Sequence, residues 1–259
     1  MAIKKFLNQN LSPELKLLLH FDGNDGDTST TDSSPSQHSI TFNGDAQLDT
    51  ANKKWGTASL LLDGAGDSIQ MASSADWNVF SDNTENWTID FQLKLIGSGL
   101  QYFITQREDS NNRWYIFYYD SGANTGIKFV VKSGGTNIIE SAYSGAAINS
   151  DWHHIAFCKV GSLYGVYFDG TQILYVSDSS SDTLINAPLY VGEQGDSNWF
   201  LNGQIDELRI INSNAFNASP NSGKTDTITP PSGAYSGGVV SKIQTADLAD
   251  IAKIIGITK

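Results

Sequence analysis

The stretch from Leu189-Tyr190-Val191-Gly192 through Gly203-Gln204-Ile205-Asp206-Glu207-Leu208-Arg209-Ile210 closes a series of words spread along the chain. Before it come Trp55-Gly56-Thr57-Ala58-Ser59-Leu60, Trp152-His153-His154-Ile155-Ala156 and Tyr167-Phe168-Asp169-Gly170. The sequence around these words has the two-residue period of β-strands. Trp87, Ile89, Phe91, Leu93 and Leu95 alternate with Thr88, Asp90, Gln92 and Lys94, as in a strand with one wet face. Ile127, Phe129 and Val131 repeat the pattern, and further strand-like runs cover 15–21, 59–62, 102–105, 114–119, 163–168 and 172–176. Clusters of Gly, Asn, Asp and Ser between the runs mark turns. Asp169-Gly170 predicts a type I′ hairpin turn, whose two central residues both need positive φ. Many short strands without a long helical pattern predict an all-β fold, a two-sheet antiparallel sandwich.

The 259 residues suit one large β domain with appendages. A net charge of −12, with Lys and Arg scattered, argues against nucleic acid as a partner, because phosphate binding needs a basic patch. Cys158 is the sole cysteine, so no intrachain disulfide forms, and its run Ile155-Ala156-Phe157-Cys158 reads as a strand covered on both faces. The N-terminus has lysines but no apolar segment behind them, so it is not read as a secretory signal. No run approaches the length of a membrane span.

In their order and spacing the four words resemble the laminin-G-like branch of the concanavalin A-like jelly-roll sandwiches. The resemblance covers residues 15 to 215 and implies a jelly roll. Such modules bind sugars or proteins, and usually act outside cells. Many hold a structural calcium where an Asp of the late strand meets the early strand. Carried onto this chain, that places an optional Ca²⁺ between Asp206 and Asp22 of Leu17-Leu18-Leu19-His20-Phe21-Asp22-Gly23, with a backbone carbonyl completing the oxygen set. The residues alone leave Asp206 open. Read by alternation it shares a face with Leu208 and Ile210, and a carboxylate near a core needs a backbone, an arginine or a cation as partner.

Sugar-binding modules combine aromatic faces with Asn and Asp. The chain offers this in Asn111-Asn112-Arg113-Trp114 and Asp196-Ser197-Asn198-Trp199, which makes Trp114, Trp199 and Asn198 the candidate ligand residues. The blander reading, that Trp114 and Trp199 fill the core or a sheet edge, has the greater weight, because a sandwich of this size consumes many of its aromatics internally. His153 and His154, being adjacent on a strand, face opposite sides and are expected to pack and hydrogen-bond rather than share a metal. The acidic loop from Asp22 to Asp27 fails as an EF-hand, because Ser33 stands where the closing Glu is needed. No carboxylate pair with the spacing of a glycoside hydrolase is seen, nor a nucleophile elbow or a phosphate loop, so no catalytic residue is assigned and no enzyme is expected.

The organisation expected is an N-terminal arm (1–14), the sandwich (15–216), a Ser/Gly/Pro-rich linker (217–238) and a short helical docking tail (239–259). In the tail Leu248, Ile251, Ile254 and Ile255 recur at helical spacing. Its end, Asp250-Ile251-Ala252-Lys253-Ile254-Ile255-Gly256-Ile257, is similar to short words that close phage structural proteins. That similarity implies a non-enzymatic virion component, such as a capsid decoration, fibre or tail protein. It would be displayed on the virion surface, contacting host glycans and, through its tail, other subunits or further copies of itself. Virion proteins released by lysis need no leader. A secreted or cell-surface adhesin or carbohydrate-binding module is the alternative.

Overall fold

The computed structural model describes residues 14–122, 124–145, 147–178 and 183–235. The docking tail and nearly all of the N-terminal arm lie outside the described residues. Two sheets face each other. The eight-stranded sheet holds β1 (Leu15–Leu19), β3 (Gln47–Asp49), β4 (Ser59–Asp63), β6 (Asn86–Leu95), β11 (Trp152–Val160), β12 (Leu163–Phe168), β13 (Thr171–Ser177) and β15 (Asn202–Ile211). The seven-stranded sheet holds β2 (Ile40–Asn43), β5 (Ser68–Met71), β7 (Gln101–Arg107), β8 (Arg113–Tyr119), β9 (Gly126–Ser133), β10 (Thr136–Glu140) and β14 (Leu189–Val191). The first runs β13-β12-β11-β6-β15-β4-β3 with β1 also on β15, the second β10-β9-β8-β7-β14-β5-β2. All described pairings are antiparallel.

The expected alternation builds the core. Trp87, Ile89, Phe91, Leu93 and Leu95 turn inward from β6 to meet Phe103, Trp114, Ile116, Phe129 and Val131 of the facing sheet. Burying one such side chain contributes about 1.5–3 kcal/mol. Rings interlock at the centre, with Phe129 5.0 Å from Phe157 and 5.8 Å from Tyr164. The β12–β13 turn has φ of 47° at Asp169 and 86° at Gly170, which gives both central residues the handedness that the Asp-Gly pair predicts.

Strand β15 departs from strict alternation. Its register against β6 slips between Asp206 and Arg209, a β-bulge, and Glu207 takes a left-handed φ of 51°. Ile205 and Leu208 both face the core as a result. Asp206 therefore does not share a face with Leu208 and Ile210, which corrects the expectation from simple alternation. The partner of β15 changes at the same place, from β4 beside Asn202 to Ile205 to β1 beside Leu208 to Ile211.

The outer face of the eight-stranded sheet is covered, and the cover is the segment expected to be a linker. Up to Tyr235 this segment crosses the sheet. Ala218 and Ile228 bury against Ala156, Cys158 and Tyr167, and Thr227 bridges to Thr171 on edge strand β13. Serine, glycine and proline mark a chain without regular structure, but its sparse apolar residues match the small residues that β11 and β12 present. Cys158 is thereby buried on both sides, and burial pushes its thiol pKa up.

Beneath the cover lies a buried ionic cluster. Arg209 Nε donates to Asp90 Oδ1 at 2.8 Å, His154 Nε2 lies 3.2 Å from Asp90 Oδ2, and the Tyr235 hydroxyl donates to the same carboxylate. The Arg209 guanidinium stacks between the rings of Tyr235 (4.0 Å) and Phe216 (5.2 Å). Burial acts to raise the Asp90 pKa, but the Arg209 charge and the hydrogen bonds from His154 and Tyr235 outweigh it and hold the carboxyl below its ordinary value. A depressed folded pKa adds stability that is complete above the unfolded value and lost as pH falls through the folded one. Asp90→Asn should therefore lower stability in urea by about 3–5 kcal/mol near neutral pH, because it leaves a buried guanidinium without its counter-charge. The gap should close in strong acid; a gap that stays constant down to acid would refute the electrostatic account.

Candidate functional site

The connection from β14 to β15 carries the exposed tryptophan. Leu201 anchors it in the core, and its N–H donates to Gly192 O at 2.8 Å. Between these points the chain makes a tight loop, with φ of 88° at Gly195, 59° at Ser197 and 58° at Trp199. Side chains tie the loop to the seven-stranded sheet: Gln194 Nε2 donates to the Tyr102 hydroxyl at 2.7 Å, and Arg107 pairs with Asp196 at 2.8 Å. A left-handed conformation at a bulky residue is a strained state that persists only where its surroundings enforce it. Here it holds the Trp199 side chain out, 53% exposed.

Trp199 stands beside an open cleft of about 520 Å³, lined also by Asp63, Gly64, Gly97, Ser98, Leu100, Gln101, Phe200 and Asn202. Two glycines shape it. A Cβ on Gly97 would fall 2.8 Å from Asn202 Cβ and 2.9 Å from Gln101 Nε2, and one on Gly64, at φ +86°, would fall 2.8 Å from Asn202 Cβ. Gln101 is nearly fully buried; its Oε1 accepts from Asn202 N at 2.8 Å, while its Nε2 is a buried donor with no partner among the described residues. A buried donor left unpaired costs about 1–3 kcal/mol, a cost that a water or a ligand acceptor in the cleft would relieve. Ile96, the neighbour of Gly97, is 54% exposed. The cleft thus offers an apolar ring, amides, a hydroxyl and one carboxylate, a combination suited to the two faces of a sugar.

The other sequence-derived ligand residues fall elsewhere. Trp114 is a core residue, 1% exposed, and its indole donates to Gln106 Oε1 at 2.8 Å. It cannot meet a ligand, because the period that makes β8 a strand points Trp114 inward with Ile116 and Tyr118. Asn198 does not line the cleft; its amide donates to Asp196 O at 3.2 Å and its carbonyl accepts from Gln194 N, so it shapes the loop that carries Trp199. The cleft residues missed in the sequence, Gln101 and Asn202, begin β7 and β15 and carry no local motif. The glycines at 64 and 97 were the available signal.

Asp22 and Asp206 come to one turn. Asp206 Oδ2 accepts from Lys54 N at 2.8 Å and Trp55 N at 3.0 Å, and Asp22 Oδ1 accepts from the N–H and hydroxyl of Thr57. Gly56 between them has φ +61°, and a Cβ there would strike Asp22. Asp206 Oδ1 is buried without a partner among the described residues, and burial pushes the carboxyl up to about 7 against the two backbone N–H donors. Both carboxylates are held by the one turn of residues 54–57, and the unpartnered Asp206 oxygen is the kind of hard donor a Ca²⁺ ion would use. Among the described residues no three Asp, Glu, His or Cys side chains group as ligands. His20 is engaged otherwise: its Nδ1 meets Glu207 at 2.9 Å, and that hydrogen bond holds the imidazole pKa above its ordinary value despite burial. His153 sits between Asp169 and Asn149 at 2.6 Å each, while His154 joins the Asp90 cluster, so the two histidines do face opposite sides.

Residues 63–219 match the laminin-G family described as the Concanavalin A-like lectin/glucanases superfamily, and the chain belongs to it. None of the curated proteins matches. Among solved structures, domain 4 of AbnA, a GH43 extracellular arabinanase from Geobacillus stearothermophilus in complex with arabinotriose, is similar with a TM-score of 0.57 and 19% identity. The match covers 84% of this chain and 95% of that domain. The botulinum neurotoxin serotype D binding domain gives a TM-score of 0.58 at 15% identity, over 79% of this chain and 49% of the other. The neurotoxin DC binding domain, solved in complex with rat synaptotagmin II, gives 0.58 at 15% over 78% and 49%. The chain thus spans about half of each toxin binding domain. At these identities the likeness is one of fold. No described helix is long and apolar enough to cross a membrane.

Proposed function

We propose that this domain is a non-enzymatic glycan-binding module whose ligand enters the cleft beside Trp199. The observation that carries the reading is the pairing of a strained, exposed tryptophan with a buried, unpartnered Gln101 amide at one cleft. Trp199 supplies the apolar face for sugar C–H groups, while Gln101, Asn202 and Asp63 supply partners for hydroxyls. Asp63 is the cleft's single carboxylate, and hydrolysis of a glycosidic bond needs two flanking the scissile linkage. An open cleft of this kind binds one sugar chain weakly and gains strength from many copies. The sugar-bound arabinanase domain of like fold is in keeping with this. On an array probed with multimerised protein, a glycan signal should appear and Trp199→Ala should weaken it by about tenfold or more. A folded Trp199→Ala protein that binds as before would sink the reading.

Calcium between Asp22 and Asp206 is part of the same proposal, with a structural role: it would give the orphaned Asp206 oxygen a partner and fasten the Trp55-Gly56-Thr57 turn to β15. Chelation should lower the melting temperature of the wild type and leave that of Asp206→Asn unchanged. An identical wild-type melt in chelator and in calcium would remove the claim.

The setting proposed is a virion surface, with residues 239–259 as the contact to neighbouring subunits; the likeness of the tail to phage words supports it. The extracellular arabinanase domain among the similar folds favours the alternative of a secreted binding module. Removing 239–259 should leave a folded, glycan-binding sandwich that no longer enters its assembly. Unfolding on truncation would instead assign the tail to the domain.

A further inference from the structure

The outer face of the seven-stranded sheet carries a row of cations that the composition gives no reason to expect. The cross-strand register sets Arg107 opposite Arg113, and Arg113 opposite Lys132. Trp114 and Val131 turn into the core, so Arg113 and Lys132 turn outward. Like charges directly opposite on neighbouring strands destabilise a sheet, yet three stand side by side in a chain of net charge −12. Asp196 pairs with Arg107, and Lys128, further along β9, pairs with Glu140. Asp109, in the turn between β7 and β8, is engaged by the N–H groups of Asn111 and Asn112. Neither Arg113 nor Lys132 has an ion-pair partner among the described residues.

Two further observations point to a ligand. Three polar atoms of this face, Thr105 Oγ1, Arg107 Nη1 and Arg113 Nε, are buried without partners among the described residues. The row also borders an aromatic surface. The Arg113 guanidinium lies 5.4 Å over the Tyr115 ring, and Tyr102 packs 5.2 Å from both Tyr115 and Phe117. Leu100, packed against that cluster, also lines the Trp199 cleft. From Gln101 at the cleft to Arg107 in the row, strand β7 runs about 20 Å, the reach of a short oligosaccharide.

We propose that Arg113 and Lys132, beside the Asp196-paired Arg107, bind the carboxylate or sulfate groups of an acidic polysaccharide that extends along β7 from the Trp199 cleft. The inference rests on the glycan-binding reading and adds the charge of the ligand to it. A planar guanidinium matches a carboxylate or sulfate with two parallel hydrogen bonds, and the rings beside it accept sugar C–H faces. A sheet that keeps like charges together loses stability for it, so removing one should cost binding and not folding.

The test uses the full chain, multimerised, with polygalacturonate and dextran sulfate as acidic probes and dextran as the neutral one. Wild type should bind the acidic probes more tightly than dextran. Arg113→Gln and Lys132→Gln should each weaken acidic binding by about tenfold, the size of a lost charge-assisted contact, with melting temperature unchanged or raised. Lys224→Gln removes the same charge from an exposed site elsewhere and should change nothing. Equal losses in all three variants, no loss in the two row variants, or equal binding of a single-stranded oligonucleotide would overturn the proposal. Trp199→Ala separates the two readings. Acidic binding that survives Trp199→Ala but not Arg113→Gln overturns the cleft and upholds the row, and the converse result overturns the row alone.

Discussion

The left-handed turn of the backbone at Glu207 is the constraint on which the rest of the eight-stranded sheet depends. It inserts one residue into β15 where the neighbour on one side changes from β4 to β1, so on that side the break falls between two partners, while the ladder with β6 is interrupted only between Asp206 and Arg209. The residues at the slip take up the polar groups exposed by the change. Asp206 receives the N–H groups of Lys54 and Trp55, and Glu207 receives His20 and the N–H of Tyr235. A carboxylate at each of these positions therefore fastens a different distant segment. Glutamate rather than glycine can hold the positive φ because its buried side chain is itself hydrogen-bonded on both sides of the bulge.

The two outer faces of the sandwich are treated differently. On the eight-stranded sheet, small residues at Ala156, Cys158 and Gly165 leave room for the segment after β15, and a Cβ on Gly165 would lie 3.1 Å from Pro220. The charges there pair within the molecule: Asp90 takes Arg209, His154 and the Tyr235 hydroxyl under the cover, although Arg209 Nη2 and His154 Nδ1 have no partner among the described residues. On the seven-stranded sheet the β14–β15 loop reaches Arg107 through Asp196, and no ion pair to Arg113 or Lys132 is found among the described residues. Large aromatics shield one another, Arg113 and Lys132 stay half-buried, and polar atoms remain unpaired. Buried polar groups that pair internally build structure, whereas those that do not are where a ligand is expected.

Much of the fold was legible because it follows from the two-residue period. The run from Trp87 to Leu95 fixes which face of β6 is core, and Asp169-Gly170 fixes a hairpin; both hold in three dimensions. Strands Ile40–Asn43 and Gln47–Asp49 escaped notice because they are short and polar, and take their conformation from the strands they pair with. The bulge escaped for the opposite reason: a period-two pattern cannot announce an inserted residue whose φ is set by tertiary contacts. At the candidate site the word Asp196-Ser197-Asn198-Trp199 did mark an exposed aromatic, while the Trp114 of Asn111-Asn112-Arg113-Trp114 is buried. There the core claims Trp114, and Arg113, the residue before it, faces outward. Outside a bulge adjacent strand residues divide in this way, so a motif read as a block mixes core side chains with outward-facing ones.

The positions of Tyr235 and of the cation row bear on how the domain would work in an array. Tyr235, the last residue described, is held on the outer face of the eight-stranded sheet by its ring on Arg209 and its hydroxyl on Asp90. The cation row lies on the outer face of the other sheet, across the whole thickness of the sandwich. Under the proposed setting, an anchoring contact made on the Tyr235 side would leave the row and the adjoining aromatic surface facing away from the larger body. Individually weak contacts would then become effective, because neighbouring copies would present the same face to one polysaccharide and each bound copy would raise the local concentration for the next. The hydroxyl of Tyr235 on Asp90 and its ring on Arg209 fix the chain to that face as far as residue 235. The carboxylate that stabilises the sheet thus also holds the last described residue on the face opposite the row.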